Sequence, residues 1–431
     1  MLKVPVVERL VRIKNPFVSF FKENFNTNSI KLAIIFSLPI YLNAIFLYSN
    51  LEINFLAKTL FSLNTILFIY LLFKLDFKFF GFGFFSSILW FYWISLSFRY
   101  YNLDYLIPIV ILIIGIFYGF IFFIIEKIYL KIQNIYLKKI FLALIFSFII
   151  DYISPFTFDW FKIEVLFINS FFKIDKLSIF LLFLSIAFLK ETKFLSLIVI
   201  PFLIDFKTPK KPHLPLKIYI SNTHIPQDKK WKEDYLIPQI DNNFKIIKKA
   251  IKEKYDVVVL PESAFPMFLN EYSKIENYLK FLSKKITILT GALNTKNNNF
   301  YNASYLFKNE KEIVMYKHIL VPFGEYIPFP FFKDEINKIF FDGSSDYQTS
   351  KSFSTFKIKN IKFINAICYE ITTEDIYKLK PKYIIAISNN GWFTPSIEPS
   401  LQEMIIKIYA KKYKKVVFHS VNDSPSYTIY Y

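Results

Sequence analysis

The chain contains one cysteine, Cys368, in the stretch NAICYE (365–370), and an apolar run of strand-forming residues leads straight into it. A thiol becomes a nucleophile only when its proton is removed and the thiolate is stabilised. Histidine is the usual base, but the four histidines of this chain have no evident partner. A glutamate can serve instead if a nearby cation favours the charged state. Glu262, which ends VVVLPE, and Lys317, in YKHILVPFGEYIPFP (316–330), are the candidates. Apolar runs end alike at three places: VVVLP delivers Glu262, FINAI delivers Cys368 and IIAISNN delivers a turn at Gly391–Trp392. In α/β sheets, ligands bind at the carboxyl ends of strands.

Each of these residues also has an ordinary reading. A lone cysteine at a strand end can be a small buried hydrophobe. Pro-Glu after a strand is a common loop or cap feature, and Lys317 is one lysine among many. Glu325 and Glu370 could be surface carboxylates, and Trp231 and Trp392 core or loop aromatics. It is the joint pattern and order of these residues that argues for a site.

The elements that must position them divide the chain in two. Of 431 residues, 54% are hydrophobic, and the formal charge is +19. That apolar share suits a protein partly in lipid. Lysine arrives together with Phe, Ile, Asn and Tyr while Gly and Ala are scarce, and no RNA- or DNA-binding motif accompanies the charge, so no nucleic-acid partner is expected. A single cysteine excludes an internal disulfide. Four scattered histidines and one cysteine do not make a metal site, and no cofactor is expected. We divide the chain into a multi-span transmembrane domain, 1–206, and a catalytic domain, 207–431. Apolar runs at 31–49, 54–73, 79–97, 105–125, 139–150, 177–189 and 194–206 predict about seven helices, the first four long enough to span a bilayer. No small-residue cleavage site follows the first run, which reads as a retained anchor. The basic stretches at Lys3/Arg9/Arg12/Lys14, Lys74/Lys78, Lys127–Lys139 and Lys190/Lys193 all fall on the cytoplasmic side if the chain crosses seven times. The segment after Phe206 then lies outside, provided that 177–206 is a hairpin, and Arg99 is the one dissenting charge. Beyond the polar linker KTPKKPHLP, short apolar runs alternate with amphipathic, Lys-rich stretches. That alternation predicts strands covered on both faces and separated by helices.

Four segments carry a family resemblance. LPESAFP (260–266), YKHILVPFGEYIP (316–328), AICYE (366–370) and SNNGWF (388–393) resemble the Glu–Lys–Cys arrangement of the nitrilase superfamily. The form K-x-x-L-V-P-F-G-E-Y-x-P, joined to a multi-span half, resembles the apolipoprotein N-acyltransferase family. HIPQDKKW (224–231) is similar to that family's opening loop and FYNAS (300–304) to its asparagine motif. The resemblance covers essentially the whole chain. It implies an α-helical transmembrane domain plus an α/β nitrilase-like αββα sandwich. It implies Glu262 as general base, Lys317 as charge stabiliser and Cys368 as nucleophile. Glu325 and Glu370 match two further glutamates, Asn302 a family asparagine, and Trp231 and Trp392 mobile aromatics near the entrance. The Tyr369 N–H would help to form the oxyanion hole. The implied reaction moves an acyl chain from a membrane phospholipid, through a thioester on Cys368, to the α-amine of a diacylglyceryl-cysteine on an apolipoprotein. The implied place is the bacterial inner membrane, with the catalytic domain periplasmic.

The chain departs from the family's pattern at Thr394, where glycine is usual, and at His419, Asp423 and Ser424 in HSVNDS, where Arg-Ser-Thr-Asn-Asn-Gly is more typical. The family usually continues into a further hairpin and a last transmembrane helix beyond the position of Tyr431. Two other readings stand beside this one. The chain could be a membrane-tethered amidase that passes the acyl group to water, or a non-enzymatic membrane protein with an inactive nitrilase-like domain. Loss of Glu, Lys or Cys would mark the latter, and all three are present.

Overall fold

The computed structural model describes residues 16–155, 158–207, 210–322, 324–326 and 347–431. Lys3, Arg9, Arg12, Lys14, Phe323 and the 327–330 end of the proline-rich loop lie outside them.

Apolar composition and polar caps together set the helices of the first half. They are α1 (Pro16–Asn24), α2 (Thr27–Tyr48), α3 (Phe55–Lys74), α4 (Phe79–Phe91), α5 (Ile107–Lys131), α6 (Ile135–Leu144) and α7 (Lys176–Ala187). Asn26, Asn54, Asn134 and Asp175 each accept a backbone N–H at the start of a helix, which satisfies donors that the helix itself leaves free. Among the described residues, four helices are long and apolar enough to cross a membrane: Thr27–Tyr48, Phe55–Lys74, Phe79–Tyr101 and Asp104–Lys131. The third of these passes from α4 into a 3₁₀ segment, Tyr92–Tyr101. α4 and α5 lie close together because Gly83 faces α5; a Cβ there would sit 2.6 Å from a Phe122 ring carbon and 2.7 Å from the Tyr118 carbonyl.

The later apolar runs fold as shorter pieces. The fifth gives α6 and then a π-helical turn, Ile145–Ile149. The seventh is a 3₁₀ segment, Leu195–Leu203, containing Pro201, which has no N–H to donate. α7 and that segment fold back on each other: Ser196 Oγ donates to Ser185 O, Lys173 N to Leu203 O and Asp205 N to Phe171 O. Residues 171–173 and 203–205 are therefore side by side, and 177–206 is a hairpin.

The second half is a four-layer αββα sandwich. Its elements are β1 (Ile218–Ile220), β2 (Asn222–Thr223), α8 (Gln227–Lys230), α9 (Glu233–Lys252), β3 (Val257–Val259), β4 (Phe265–Phe268), α10 (Ser273–Leu282), β5 (Thr287–Lys296), β6 (Asn299–Lys308), β7 (Lys311–Tyr316), β8 (Thr355–Ile358), β9 (Ile361–Ile367), α11 (Glu374–Lys378), β10 (Tyr383–Asn389), α12 (Glu398–Tyr413), β11 (Val416–Asn422) and β12 (Tyr427–Ile429). One sheet runs β1-β3-β5-β6-β7 with β4 beside β5, and the other β12-β11-β10-β9-β8 with β2 beside β11. The central pairs β3–β5, β9–β10 and β10–β11 are parallel. Strand alternation divides the side chains between layers. Val257, Val259 and Leu289 of one sheet meet Ile367, Ile385 and Ile387 of the other. On the outer face of the second sheet, Ile364, Ala366, Ile384 and Ala386 pack with α12 and with the membrane half in one continuous core.

That core explains α12. The sequence shows an amphipathic, Lys-rich stretch there, yet residues 398–406 are all buried, because the sheet covers one side and the membrane half the other. The joint is also hydrogen bonded. Asn43 Nδ2 of α2 donates to Ser400 Oγ at 3.0 Å and Glu403 Oε2 at 2.9 Å, while Asn43 Oδ1 accepts from Asn169 Nδ2 at 2.7 Å. Trp160 Nε1 donates to Thr372 Oγ1, and Tyr409 OH to Asp159. All these groups are buried or nearly so, and stranding them is expensive. Asn43→Leu is expected to destabilise the joint by about 2–3 kcal/mol, read as a lower melting temperature of the detergent-solubilised chain. Unchanged melting would mean that water reaches the joint and replaces Asn43.

Candidate active site

Two backbone turns position the candidate groups. β9 ends at Ile367, and Cys368 follows with φ 53°, a left-handed conformation that non-glycine residues adopt at a cost. β3 ends at Val259, and Ser263, just after Glu262, has φ 47°. Gly291 of β5 lets the Glu262 turn come close: a Cβ there would lie 2.5 Å from Ser263 N and 2.6 Å from the Glu262 Cα. Lys317 follows β7 directly, and its N–H donates to Asn302 O at 2.9 Å.

These turns bring Glu262, Lys317, Cys368, Asn302 and Glu325 into one cluster. Lys317 Nζ is 2.7 Å from Glu325 Oε2 and 3.9 Å from Glu262 Oε1, with its side chain wholly buried. Asn302 Nδ2 donates to Glu262 Oε1 and to Glu325 Oε1, both at 2.8 Å. The amide hydrogens thus hold two carboxylates in place on either side of one ammonium. Glu262 Oε2 accepts from Asn389 N at 2.9 Å, and the Cys368 side chain lies close enough to the same carboxylate to influence it.

Burial and charge set the protonation states. Burial pushes the Glu262 carboxyl up, against the Lys317 charge, the hydrogen bond from Asn302 and the influence of Cys368. Burial also pushes the Cys368 thiol well up, helped by the Glu262 charge and opposed by Lys317. For Lys317, burial alone would lower the ammonium; the charges of Glu325 and Glu262 beside it more than offset that and hold the lysine protonated. At rest the site therefore holds a thiol, a carboxylate reluctant to stay charged, and a permanent cation. A thiol held in this way becomes nucleophilic only with a base beside it, and Glu262 is the carboxylate of the cluster whose protonation is linked to that of the thiol.

Glu370 takes no part in that cluster but braces it. Its carboxylate accepts from His318 N at 2.6 Å, Ile319 N at 3.2 Å and Ile367 N at 2.7 Å. It thereby ties the chain before Cys368 to the chain after Lys317, and burial pushes its pKa up to about 7. Tyr369 points its ring away, stacked on Phe158 of the membrane half at 6.0 Å. Trp392 packs parallel to Tyr101 at 6.0 Å and edge-on to Tyr100 at 5.5 Å. Trp231 is 46% exposed just after α8.

Several residues at the site gave no readable signal in the sequence. Asn389 donates through its backbone, which any residue can do. Its side chain joins Gln227 Oε1 to Asn422 at 2.8 Å each, so that three strand- and loop-ends form one polar rim. Tyr100 comes from the membrane half, and its hydroxyl donates to Gly391 O at 2.9 Å. The departures from the family's pattern gather on this rim. Thr394 Oγ1 hydrogen bonds Asp423, and Asn390 Nδ2 donates to Ser424 Oγ at 3.1 Å. His419 is buried, its pKa pushed down to about 3 by burial, with Nε2 2.7 Å from Ser388 Oγ.

The fold and site define a class: a carbon–nitrogen hydrolase-type sandwich, with Glu, Lys and Cys at its strand ends, joined to an integral membrane half. Residues 23–206 match the family described as apolipoprotein N-acyltransferase integral membrane domain, and residues 225–415 match carbon–nitrogen hydrolase. The apolipoprotein N-acyltransferase of Wolinella succinogenes is 38% identical over 91% of this chain and 93% of its own length. That of Campylobacter jejuni is 38% identical over 96% of this chain and 93% of its own. An amidase structure from Nesterenkonia superposes with a TM-score of 0.38 at 9% identity, over 52% of this chain and 86% of that one. The chain belongs to the apolipoprotein N-acyltransferase family, and it is an acyltransferase.

One buried cation is left over. Lys230 is fully buried, and its Nζ has no hydrogen-bond partner among the described residues. Burial lowers its pKa from 10.5 to about 8, against the charges of Glu262 and Asp423. Between those values the unfolded chain holds the proton and the folded chain does not, so stability rises with pH across that window; below it the whole penalty is present. Lys230→Met is expected to be more stable than the parent at pH 7, by up to about 3 kcal/mol, with the gap shrinking toward pH 10. A lower melting temperature for the variant at pH 7 would contradict this.

Proposed function

We propose that this protein takes a fatty acyl chain from a membrane phospholipid and places it on the N-terminal amine of the diacylglyceryl-cysteine of an apolipoprotein, through a thioester on Cys368. The observation that carries the reading is the cluster at the strand ends: a thiol on a left-handed turn, under the influence of the Glu262 carboxylate and of the wholly buried Lys317, which itself lies 3.9 Å from Glu262 and 2.7 Å from Glu325.

Glu262 takes the thiol proton as Sγ attacks the ester carbonyl. Negative charge builds on the carbonyl oxygen, and the Lys317 ammonium and the Tyr369 N–H receive it. The C–O bond breaks, Glu262 protonates the departing alkoxide, and a lysophospholipid leaves. The acceptor amine then attacks the thioester carbonyl and gives its proton to Glu262. The C–S bond breaks, the thiolate recovers that proton, and an amide remains. Glu325 and Asn302 hold Lys317 and Glu262 in register, and Glu370 holds the two chain segments that carry Lys317 and Cys368. Both substrates are lipids, which accounts for a joint between sandwich and membrane half built as one core.

The reading also gives the chain an orientation in the bacterial inner membrane, with the sandwich on the periplasmic face. The start of α2 meets the 74–78 loop, where Asn26 and Asn28 donate to Asp76 O. Lys138 and Lys139 line a cavity of about 90 Å³ with Asp76, and Lys139 pairs with Glu191 at 2.6 Å. The basic loops thus collect at the end of the membrane half away from Asn43 and the sandwich, which supports a cytoplasmic place for them. A periplasm-dependent reporter fused after Pro215 is expected to be active; activity only of a cytoplasmic reporter would reject the orientation and the substrates with it.

Phospholipid given without acceptor is expected to load one acyl group per chain, visible by intact mass, released by neutral hydroxylamine and absent in Cys368→Ala. Glu262→Gln keeps the thiol and is expected to load it about two or more orders of magnitude more slowly. Adding a diacylglyceryl-cysteine peptide should discharge the adduct to amide. Release as free fatty acid in the presence of that peptide would make the protein a hydrolase, and an adduct on Cys368→Ala would remove the cysteine from the mechanism.

A further inference from the structure

Arginine occurs three times among 53 Lys and Arg residues, at positions 9, 12 and 99. Arg99 is the only one among the described residues. A chain so biased toward lysine gains little from a single arginine unless its planar fork is used. The position is also against the charge pattern, since Arg99 ends the Phe79–Tyr101 span at the sandwich end, opposite the basic loops. At a span's end the side chain reaches the level of lipid phosphates.

The guanidinium is held in advance. Nε donates to Leu96 O at 2.9 Å, and the guanidinium carbon lies 5.8 Å from the Tyr100 ring centroid. Among the described residues no carboxylate pairs with it within 4.0 Å, so the terminal N–H groups have no anion. Its neighbours reach the active site. Tyr100 OH holds Gly391 O, and Tyr101 stacks on Trp392. Trp392 follows Gly391 in the turn after β10, the strand whose last residue, Asn389, donates its N–H to Glu262. Arg99 therefore sits in the membrane half, one and two residues before the tyrosines that contact the loop after β10. We propose that Arg99 is an anion subsite for the phosphodiester of the acyl-donor lipid, which places that lipid's ester within reach of Cys368. This rests on the phospholipid reading above and adds the residue that recognises the donor's headgroup.

Two measurements on the full chain in detergent test it. The first compares thioester loading of Cys368 from a phosphatidylethanolamine and from a diacylglycerol with the same chains. The wild-type preference for the phosphodiester donor is expected to fall about tenfold in Arg99→Met, through weaker apparent donor affinity, with Arg99→Lys in between because it keeps charge without the fork. An unchanged preference in both variants would overturn the proposal, even if both donors load more slowly, since that is what loosening the Tyr100–Gly391 contact would do. The second removes the chemistry: in Cys368→Ala, soluble glycerophosphoethanolamine is expected to bind at least tenfold more tightly than in Cys368→Ala/Arg99→Met. Equal binding by the two would overturn the subsite. Displacement by inorganic phosphate at equal concentration would make it a general anion site and overturn the donor assignment. Binding with no thioester from any lipid in wild type would leave the subsite standing and bring down the acyl-transfer reading instead.

Discussion

A lysine with no exposed surface is the constraint on which this site is built. A bare ammonium in the interior is so costly that it must be matched or lose its proton. Lys317 is matched by Glu325 at 2.7 Å and Glu262 at 3.9 Å. Two carboxylates so close would repel each other, and Asn302 answers that with one N–H to each. The requirement spreads outward through the backbone. Lys317 must leave β7 at a fixed point, which its N–H bond to Asn302 O secures, and Cys368 must leave β9 at another, which Glu370 secures from the far side.

The same cluster disfavours a standing thiolate. Burial raises both Cys368 and Glu262, so neither readily carries charge alone. A proton moved from sulfur to carboxylate keeps the number of buried charges constant, with Lys317 as the fixed positive partner. In the proposed reaction, charge grows only where the attacked carbonyl arrives, and a cation already in place there needs no reorganisation.

The two halves are less separable than the linker between them suggests. α12 is covered by a sheet on one side and by α2 on the other, and Asn43, Ser400, Glu403 and Asn169 share one hydrogen-bond network across that joint. The 92–101 segment of the membrane half reaches the Gly391–Trp392 turn, whose preceding residue, Asn389, holds Glu262. Positions that depart from the family's pattern fall on the same rim. Thr394 and Asp423 replace two smaller or neutral choices and bond to each other across the rim.

Much was legible in the sequence because it depends on local order. Apolar runs read as helices, short β-branched runs as strands, and the candidate residues Glu262 and Cys368 fall just past strand ends, where a motif is contiguous. Glu262, Lys317 and Cys368 could be named from that pattern, and Asn302, Glu325 and Glu370 from the resemblance, before any distance was known. What only the tertiary structure decided involves groups brought together from far along the chain. Lys230 reads as one more surface lysine until the fold buries it, and α12 reads as amphipathic until a second layer covers its outer side. Asn389 acts through a backbone N–H, which no side-chain pattern announces. Tyr100 lies in an apolar span nearly three hundred residues from the Gly391 carbonyl that it holds. Local sequence sets what each segment can be, but burial and hydrogen-bond partners are properties of the whole packing, and those decide which charges a site can hold.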